Sequence, residues 1–425
     1  MKLKDLSFFE FDEFAKNHPL ASYHQSSNYA LFASEQGFDY DLVSMTDEAD
    51  NIVAATLIIY KKINFIYRYG YAPKGFLLNY YDENIIKNFT TLLKKRYFKK
   101  NFAFIKINPE ISIGALDYNR KKITYNKNKS IENVLEANGF KKLNNKFFDQ
   151  KLPKFNATIL LKDFSLKNIA KNTRNKINKS IKYGLSIKKA SREDINILYK
   201  FIKNKKNHQI NHYYNYFNAF NNSKNIDIFL IKIDFETCLI NLRKSYDKEL
   251  NKNNILIDKL MHYNNEENLT KKLASDKALT TYQEKIKIVT NYLAQQKEEF
   301  IAGAITIKYR NRVNILISGF DKKYKDFCPN YFLHYKLIQY YKKEYDFLDL
   351  NGITGDFNDD NPYKGLNEFK FGFKPLAFEY IGEFDFIINE GLYKSMLANG
   401  ILFKEFNKKQ KTITKELNLS IKSRQ

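Results

Sequence analysis

One order of elements occurs twice along this 425-residue chain, and nothing else in the sequence limits its architecture as much. In the first half, Asp41 to Met45, the polar turn Asp47 to Asn51 and the β-rich run Ile52 to Tyr60 read as a hairpin. A further strand runs near Phe65 to Tyr71. The helical spacing of Ile85, Ile86, Phe89, Leu92 and Leu93 then leads to an alternating strand, Phe102 to Ile107, stopped by Asn108-Pro109. The second half follows suit: a strand over Ile226 to Ile233, a hairpin of Phe300 to Tyr309 with Val313 to Ser318, a helix from Asn330 to Lys343, and a strand over Tyr345 to Leu350. This order predicts an α/β (α+β) chain with a duplicated domain of mixed sheets, over 1–155 and 156–395; two unrelated α/β domains are the alternative.

An insertion over 236–298 interrupts the second copy. Its returning limb carries Leu279, Tyr282, Ile286, Val289 and Leu293 at spacings of three, four, three and four, a heptad seam. The outgoing limb carries Leu239, Leu242, Tyr246, Leu256 and Leu260, with polar Glu249 and Asn253 at seam positions. These features predict an antiparallel coiled-coil arm turning over Tyr263 to Asn268, or else a helical pair packed flat as core.

Charge is the next constraint. Lys+Arg 71 against Asp+Glu 47 gives +24. Lys162 to Lys206 holds fourteen bases against Asp163, Glu193 and Asp194, and Leu402 to Gln425 holds seven against Glu405 and Glu416. Clustered positive charge suits RNA, anionic lipid or phosphorylated substrates, although a solvated helix face and a basic C-terminal helix or tail over 396–425 would look the same. Two cysteines, Cys238 and Cys328, exclude a disulfide framework and show no metal-ligand spacing, which fits a reducing compartment. Glu10, Asp12 and Glu13 interrupt any apolar leader, and the apolar run 52–60 is far shorter than the roughly 20 residues of a membrane span. The expectation is a cytoplasmic protein, at most peripheral to a membrane.

Three segments could carry chemistry. Ser165 to Gly184 reads as a helix with Ser165 as N-cap, Ile169, Ile177 and Ile181 on one face, and Lys171, Arg174, Lys176, Lys179 and Lys182 elsewhere. His208 and His212, four apart, would share a helix face beside Tyr213 and Tyr214, but no third ligand suggests zinc. From Asn351 to Phe373 an acidic loop, a glycine turn and Lys370 meet at a strand end. Flanked by Phe369 and Phe371, Lys370 would be partly desolvated, which strengthens its field on a developing anion.

The run Gly352-x-x-Gly355-Asp356-Phe357, Gly365-Leu366-x-x-Phe369-Lys370-x-x-Phe373 and Glu379-Tyr380-Ile381-Gly382-Glu383-Phe384 resembles the Fem family of peptidoglycan interpeptide-bridge aminoacyltransferases. So do Tyr23-His24-Gln25-Ser26, Pro73-Lys74-Gly75, Ile105 to Pro109, Arg174 to Gly184 and the arm, in the same order along nearly the whole chain. The resemblance implies two tandem acetyltransferase-like (GNAT) domains that use aminoacyl-tRNA with no bound cofactor; no pyrophosphate loop for coenzyme A is found in either repeat. It implies transfer of an amino acid from tRNA to the stem peptide of a lipid-linked or nucleotide-linked muropeptide, at the inner membrane face, by a monomer or homodimer.

Lys370, Phe369 and Glu383 match the family's catalytic motif positions. Substrate contacts would fall to Asn108, Gln25, His208, His212, Tyr213 and Tyr214, and tRNA contacts to Lys171, Arg174, Lys176, Lys179 and Lys182. Asn108-Pro109 stands where many members have Asp-Pro, and an amide cannot act as a general base. His208 stands where an arginine often precedes the paired tyrosines, and a lysine some members carry near Tyr29 to Ser34 is missing. A non-catalytic RNA-binding protein on the same scaffold is the competing reading.

Overall fold

In a computed structural model, residues 1–62, 68–124, 126–143, 152–205 and 208–399 are described. The basic tail beyond 399 and the start of the strand expected near Phe65 lie outside them.

The first half opens with β1 (Lys2–Asp5) and α1 (Phe8–Asn17), whose start is fixed by a capping box between Ser7 and Glu10. Helix α2 (Ser27–Glu35) is capped by Ser26. Then come β2 (Asp39–Thr46), β3 (Ile52–Lys62), β4 (Arg68–Ala72), β5 (Leu77–Leu78), α3 (Glu83–Lys99) capped by Asp82, and β6 (Phe102–Ile107). A short hairpin, β7 (Ser112–Leu116) and β8 (Lys122–Thr124), precedes α4 (Ser130–Ala137) and β9 (Phe140–Leu143).

The second half runs through β10 (Phe155–Leu160), α5 (Lys171–Lys182), β11 (Ser186–Ala190), α6 (Ile195–Ile202), α7 (Ile210–Asn221) and β12 (Ile226–Asp234). Long helices α8 (Phe235–His262) and α9 (Glu266–Gln295) follow, then β13 (Glu298–Tyr309), β14 (Arg312–Phe320), α10 (Pro329–Tyr341) and β15 (Phe347–Ile353). Helix α11 (Lys364–Phe371), β16 (Leu376–Tyr380), β17 (Glu383–Ile387) and α12 (Glu390–Ala398) complete the chain.

The repeat is real in topology. Each half contains an antiparallel hairpin, a helix that crosses over, and a strand returning parallel: β4–α3–β6 in one sheet, β14–α10–β15 in the other. The contiguous boundary at 155/156 nevertheless does not separate the sheets. The first runs β1-β2-β3-β4-β6-β17-β9, taking β17 from the far C-terminal end, and the second runs β11-β12-β13-β14-β15-β10-β16-β7-β8, taking the β7–β8 hairpin from the first half. Between them lies a shared core in which Phe11, Tyr23, Tyr29 and Phe32 pack with Leu198, Tyr216, Phe220, Ile305 and Ile317.

The inserted segment is a pair of long antiparallel helices with its turn at 263–265, and Asp234 and Asn265 cap the two limbs. The polar seam residues pair across it: Asn253 Nδ2 donates to Asp276 at 2.8 Å and Ser275 donates to Glu249 at 2.7 Å. At its base, Phe235, Cys238, Leu239, Leu242 and Val289 belong to the second sheet's core. The arm is therefore continuous with the body rather than wholly separate from it.

The basic helix starts later than its sequence suggests. Ala170 is the N-cap of α5 and offers no side-chain cap; Ser165 instead accepts from Lys167 N–H in the preceding turn. Ile169 and Ile177 are buried as expected, but Ile181 is 45% exposed, because Thr173 and Ser180 complete the inner face. Gly184, at φ +74°, ends the segment in the left-handed region that glycine favours.

Candidate active site

The parallel pair β14–β15 is bonded along only part of its length. The strands are bonded only at Arg312↔Phe347, Val313↔Leu348 and Asn314↔Asp349; beyond these they part, although each stays paired with its outer neighbour. Asn351, at φ +69°, marks the divergence, and its side-chain amide reaches back to the Ile315 carbonyl at 3.4 Å. In the first sheet, by contrast, β4 stays paired with β6 from Arg68 to Ala72. A slot outside the carboxyl ends of parallel strands is where open α/β sheets hold ligands.

Lys370 stands at this slot. It is 7% exposed on α11, and its ammonium donates to the Gly352 carbonyl of β15 at 2.6 Å. Phe369 turns to the other side, packing against Tyr331, His334 and Phe373 with ring centres 4.9–5.5 Å away. A second lysine, Lys205, donates to the Ser318 carbonyl at the end of β14 at 2.9 Å. Burial first, then the charges of Lys370 and Lys205, press the buried His334 down to about 4.

The loop between strand and lysine is held from within. Asn361 and Asn367 both donate to Thr354 Oγ1, at 2.9 and 2.7 Å, and Asn367 also binds the Asp356 carbonyl at 2.8 Å. Gly355, at φ +73°, has no room for a side chain, since a Cβ there would lie 2.6 Å from the Phe155 ring. The acidic stretch does not converge on Lys370 as the sequence suggested: Asp359 and Asp360 are exposed, and Asp359 pairs with Lys364 at 2.8 Å.

The other expected residues separate into two groups. Gln25 is fully enclosed, donating to the carbonyls of Pro73 and Leu57 at 2.8 and 3.2 Å and accepting from Leu57 N–H at 2.8 Å. Its amide is spent on backbone, so it holds the loop after β4 and is not placed to touch a substrate. Asn108 does similar work, accepting from Lys74 N–H at 2.9 Å and donating to Tyr71 OH at 3.1 Å. Glu383, 1% exposed on β17, belongs to the first sheet, and its charge acts on Tyr71 and Lys74.

Lys74 belongs to a network that sequence reasoning missed. Its ammonium lies 4.2 Å from the Tyr380 ring centre and 4.0 Å from Glu110, which accepts from Arg312 at 2.7 Å and from Tyr380 OH at 3.1 Å. Burial lowers Lys74; burial would raise Glu110, but Lys74 and Arg312 hold it below its usual range. Glu110, Arg312 and Tyr380 face a cleft of about 160 Å³ at the junction of the sheets. Lys74 and Tyr380 fall in two separate stretches of the family resemblance, but no spacing joins them to Glu110 and Arg312; the tertiary fold brings the four together.

His208 lies ahead of α7, not on it, yet its ring stacks on His212 at 3.9 Å and 6°. His212 meets Gln36 at 3.2 Å and sits against Phe32 of α2. Tyr213 is a core residue, 2% exposed, and Tyr214 lies under the Arg192 guanidinium at 4.6 Å. Among the described residues no group of three or more His, Cys, Asp or Glu side chains could hold a metal ion.

The FemAB family profile matches residues 6–398. The chain belongs to the FemAB family. The aminoacyltransferase FemA of Staphylococcus epidermidis is 25% identical over 419 residues, covering 92% of this chain and 97% of that protein. The lipid II:glycine glycyltransferase of the same organism is 22% identical over 406 residues, covering 90% and 92%. The crystal structure of FemX matches with a TM-score of 0.72 at 18% identity, over 93% of this chain and 100% of that one, so the two share a fold.

In this FemAB chain the basic face of α5 is only partly available. Lys171 and Lys182 are exposed, but Arg174 folds back onto the Lys167 carbonyl at 2.8 Å, and Lys176 donates to Tyr331 OH at 3.0 Å. Lys179 lies over Tyr183. Arg174 is thus committed to the turn that precedes α5, while the lysines remain candidates for an anionic partner.

Proposed function

We propose that this chain is an aminoacyltransferase moving an amino acid from aminoacyl-tRNA to the stem peptide of a lipid-linked peptidoglycan precursor, forming or extending an interpeptide bridge. The observation that carries the reading is the parted β14–β15 pair with Lys370 at its mouth, in a member of a family whose relatives are named aminoacyltransferase and lipid II:glycine glycyltransferase. In an acetyltransferase-like arrangement the aminoacyl ester would lie extended in this slot. The acceptor amine attacks the ester carbonyl, the new C–N bond forms, the acyl C–O bond to the ribose oxygen breaks, and the amine's proton passes to that ribose oxygen, which leaves as the free hydroxyl of the tRNA. Lys370 places positive charge where the carbonyl or ribose oxygen becomes anionic. Asn108 is bound to backbone and lacks a basic oxygen, so positioning carries more of the catalysis than proton abstraction does.

No helix among the described residues is long and apolar enough to cross a membrane, so a lipid-linked acceptor would be met from the aqueous side. The test is incubation with a charged tRNA pool and lipid-linked precursor, followed by mass analysis of the muropeptide. A precursor heavier by one or more aminoacyl residues is expected; an unchanged precursor, with RNA bound all the same, would return the protein to the RNA-binding reading.

A further inference from the structure

Lys179 and Lys285 come together where α5 meets the base of the arm. Their ammonium groups lie 5.9 and 5.7 Å from the centre of the same ring, Tyr183. Burial, and then the charge and hydrogen-bonding contact of Lys179, hold Lys285 below the ordinary lysine value. A third cation, Lys176, is fixed by Tyr331 OH at 3.0 Å on the first turn of α10, and the charges of Lys179, Lys176 and Lys285 all act on Cys328, the residue just before that helix. One acid, Asp326, acts through space on Lys285 and on Cys328. Among the described residues no carboxylate comes within the 4.0 Å of an ion pair with any of the three lysines.

Two ammonium groups pressed together in a partly buried notch are unfavourable by themselves, and the arrangement makes physical sense when an anion completes it. We propose that Lys179, Lys285 and Lys176 form a phosphate site that takes one phosphodiester of the RNA, with the arm supplying one lysine to a site otherwise built on the globular body. The inference rests on the tRNA-dependent reading and gives the arm a role within it. RNA is favoured over a lipid headgroup layer because the cations are recessed between helices and floored by a buried tyrosine ring, which a protruding strand can enter and a flat bilayer surface cannot. Exposed Lys171 and Lys182 extend the track along α5.

The test uses the full chain with Lys285→Gln, Lys179→Gln and the double variant. Without ligand, Lys285→Gln should melt about 1–2 °C higher than the native protein, since repulsion is removed. Millimolar inorganic phosphate should raise the melting temperature of the native protein and leave that of the double variant unmoved. Against an unmodified tRNA transcript, each single variant should bind about three- to tenfold more weakly and flatten the salt dependence by about one unit of slope. The double variant should lose little more, because both lysines serve one phosphate.

Native RNA affinity and salt slope in Lys285→Gln would overturn the site. So would weakened binding of the variants to phosphatidylglycerol vesicles with RNA binding intact, which would make it a headgroup site. Aminoacyl transfer by the native protein separates the two ideas: transfer that survives with RNA binding insensitive to Lys285 sinks only the phosphate site. A native protein that neither binds RNA nor transfers sinks both.

Discussion

Lys370 differs from the surface lysines of this basic chain in being enclosed, with a backbone carbonyl fixing its ammonium at the mouth of a strand gap. Lys370→Met should leave the melting temperature nearly unchanged and lower single-turnover transfer about a hundredfold or more, as loss of an oxyanion donor does. Lys370→Arg should recover little, because a planar guanidinium does not reproduce a point charge in that space. Asn108→Ala acts elsewhere: it strands Lys74 N–H and Tyr71 OH, so its expected effect is about 1–3 kcal/mol of stability, read by denaturation, with a smaller loss in the chemical step. His334 gives a pH signature. Its value falls from 6.5 to about 4 on folding, so from pH 6.5 down to 4 the unfolded chain takes up a proton that the fold refuses, and stability drops with pH. The full effect is about 3 kcal/mol. His334→Asn should flatten unfolding free energy over that window; an unchanged pH slope would show that other groups control it.

At the scale of elements, the arm and its base behave differently. Removing 237–291 would take out Cys238, Leu239, Leu242 and Val289, each contributing about 1.5–3 kcal/mol of burial, a loss comparable to a typical total stability of roughly 5–15 kcal/mol. That deletion should fail to fold. Tyr246 and Gln283 face each other at 3.2 Å, so deleting 247–282 and closing the gap with a short glycine-rich turn should keep cooperative unfolding while removing only the outer arm. Circular dichroism and thermal melts of the two deletions distinguish these outcomes. Because the outer cut spares α5, Lys285 and the base of the seam from Leu239 to Tyr246 and from Ile286 to Leu293, its RNA affinity also reports whether the base of the arm suffices.

For the whole molecule, the exchange of strands makes the halves interdependent. Segment 1–155 alone leaves β6 and β9 without β17, the strand between them; it also carries away the β7–β8 hairpin that extends the second sheet at β16. Expressed separately, 1–155 and 156–425 should each lack a cooperative thermal transition, whereas co-expression should restore one complex with a single transition. Two independent melts from the isolated halves would show that exchange adds little. The Lys74–Glu110–Arg312–Tyr380 network lies at the same junction, so truncating Arg312 leaves a buried carboxylate behind, at a cost of about 3–5 kcal/mol.

Much of this was legible in the chain because the signals are local. The period-2 and period-3.6 patterns gave β6 from Phe102 to Ile107, the hairpins, α10 and the heptads of the arm, and Gly184 marked a real helix end, since each reflects contacts within a few residues. Family membership followed from short motifs whose order survives along the sequence. The start of α5 was misread because a serine that could cap is used for a turn instead. What the sequence could not contain was which strand lies beside which. β17 and the β7–β8 hairpin choose sheets by edge availability and burial across hundreds of residues, and that exchange seats Lys74 and Glu110 of the first half against Arg312 and Tyr380 of the second; packing of the arm's base on α5 likewise sets Lys285 against Lys179 over Tyr183.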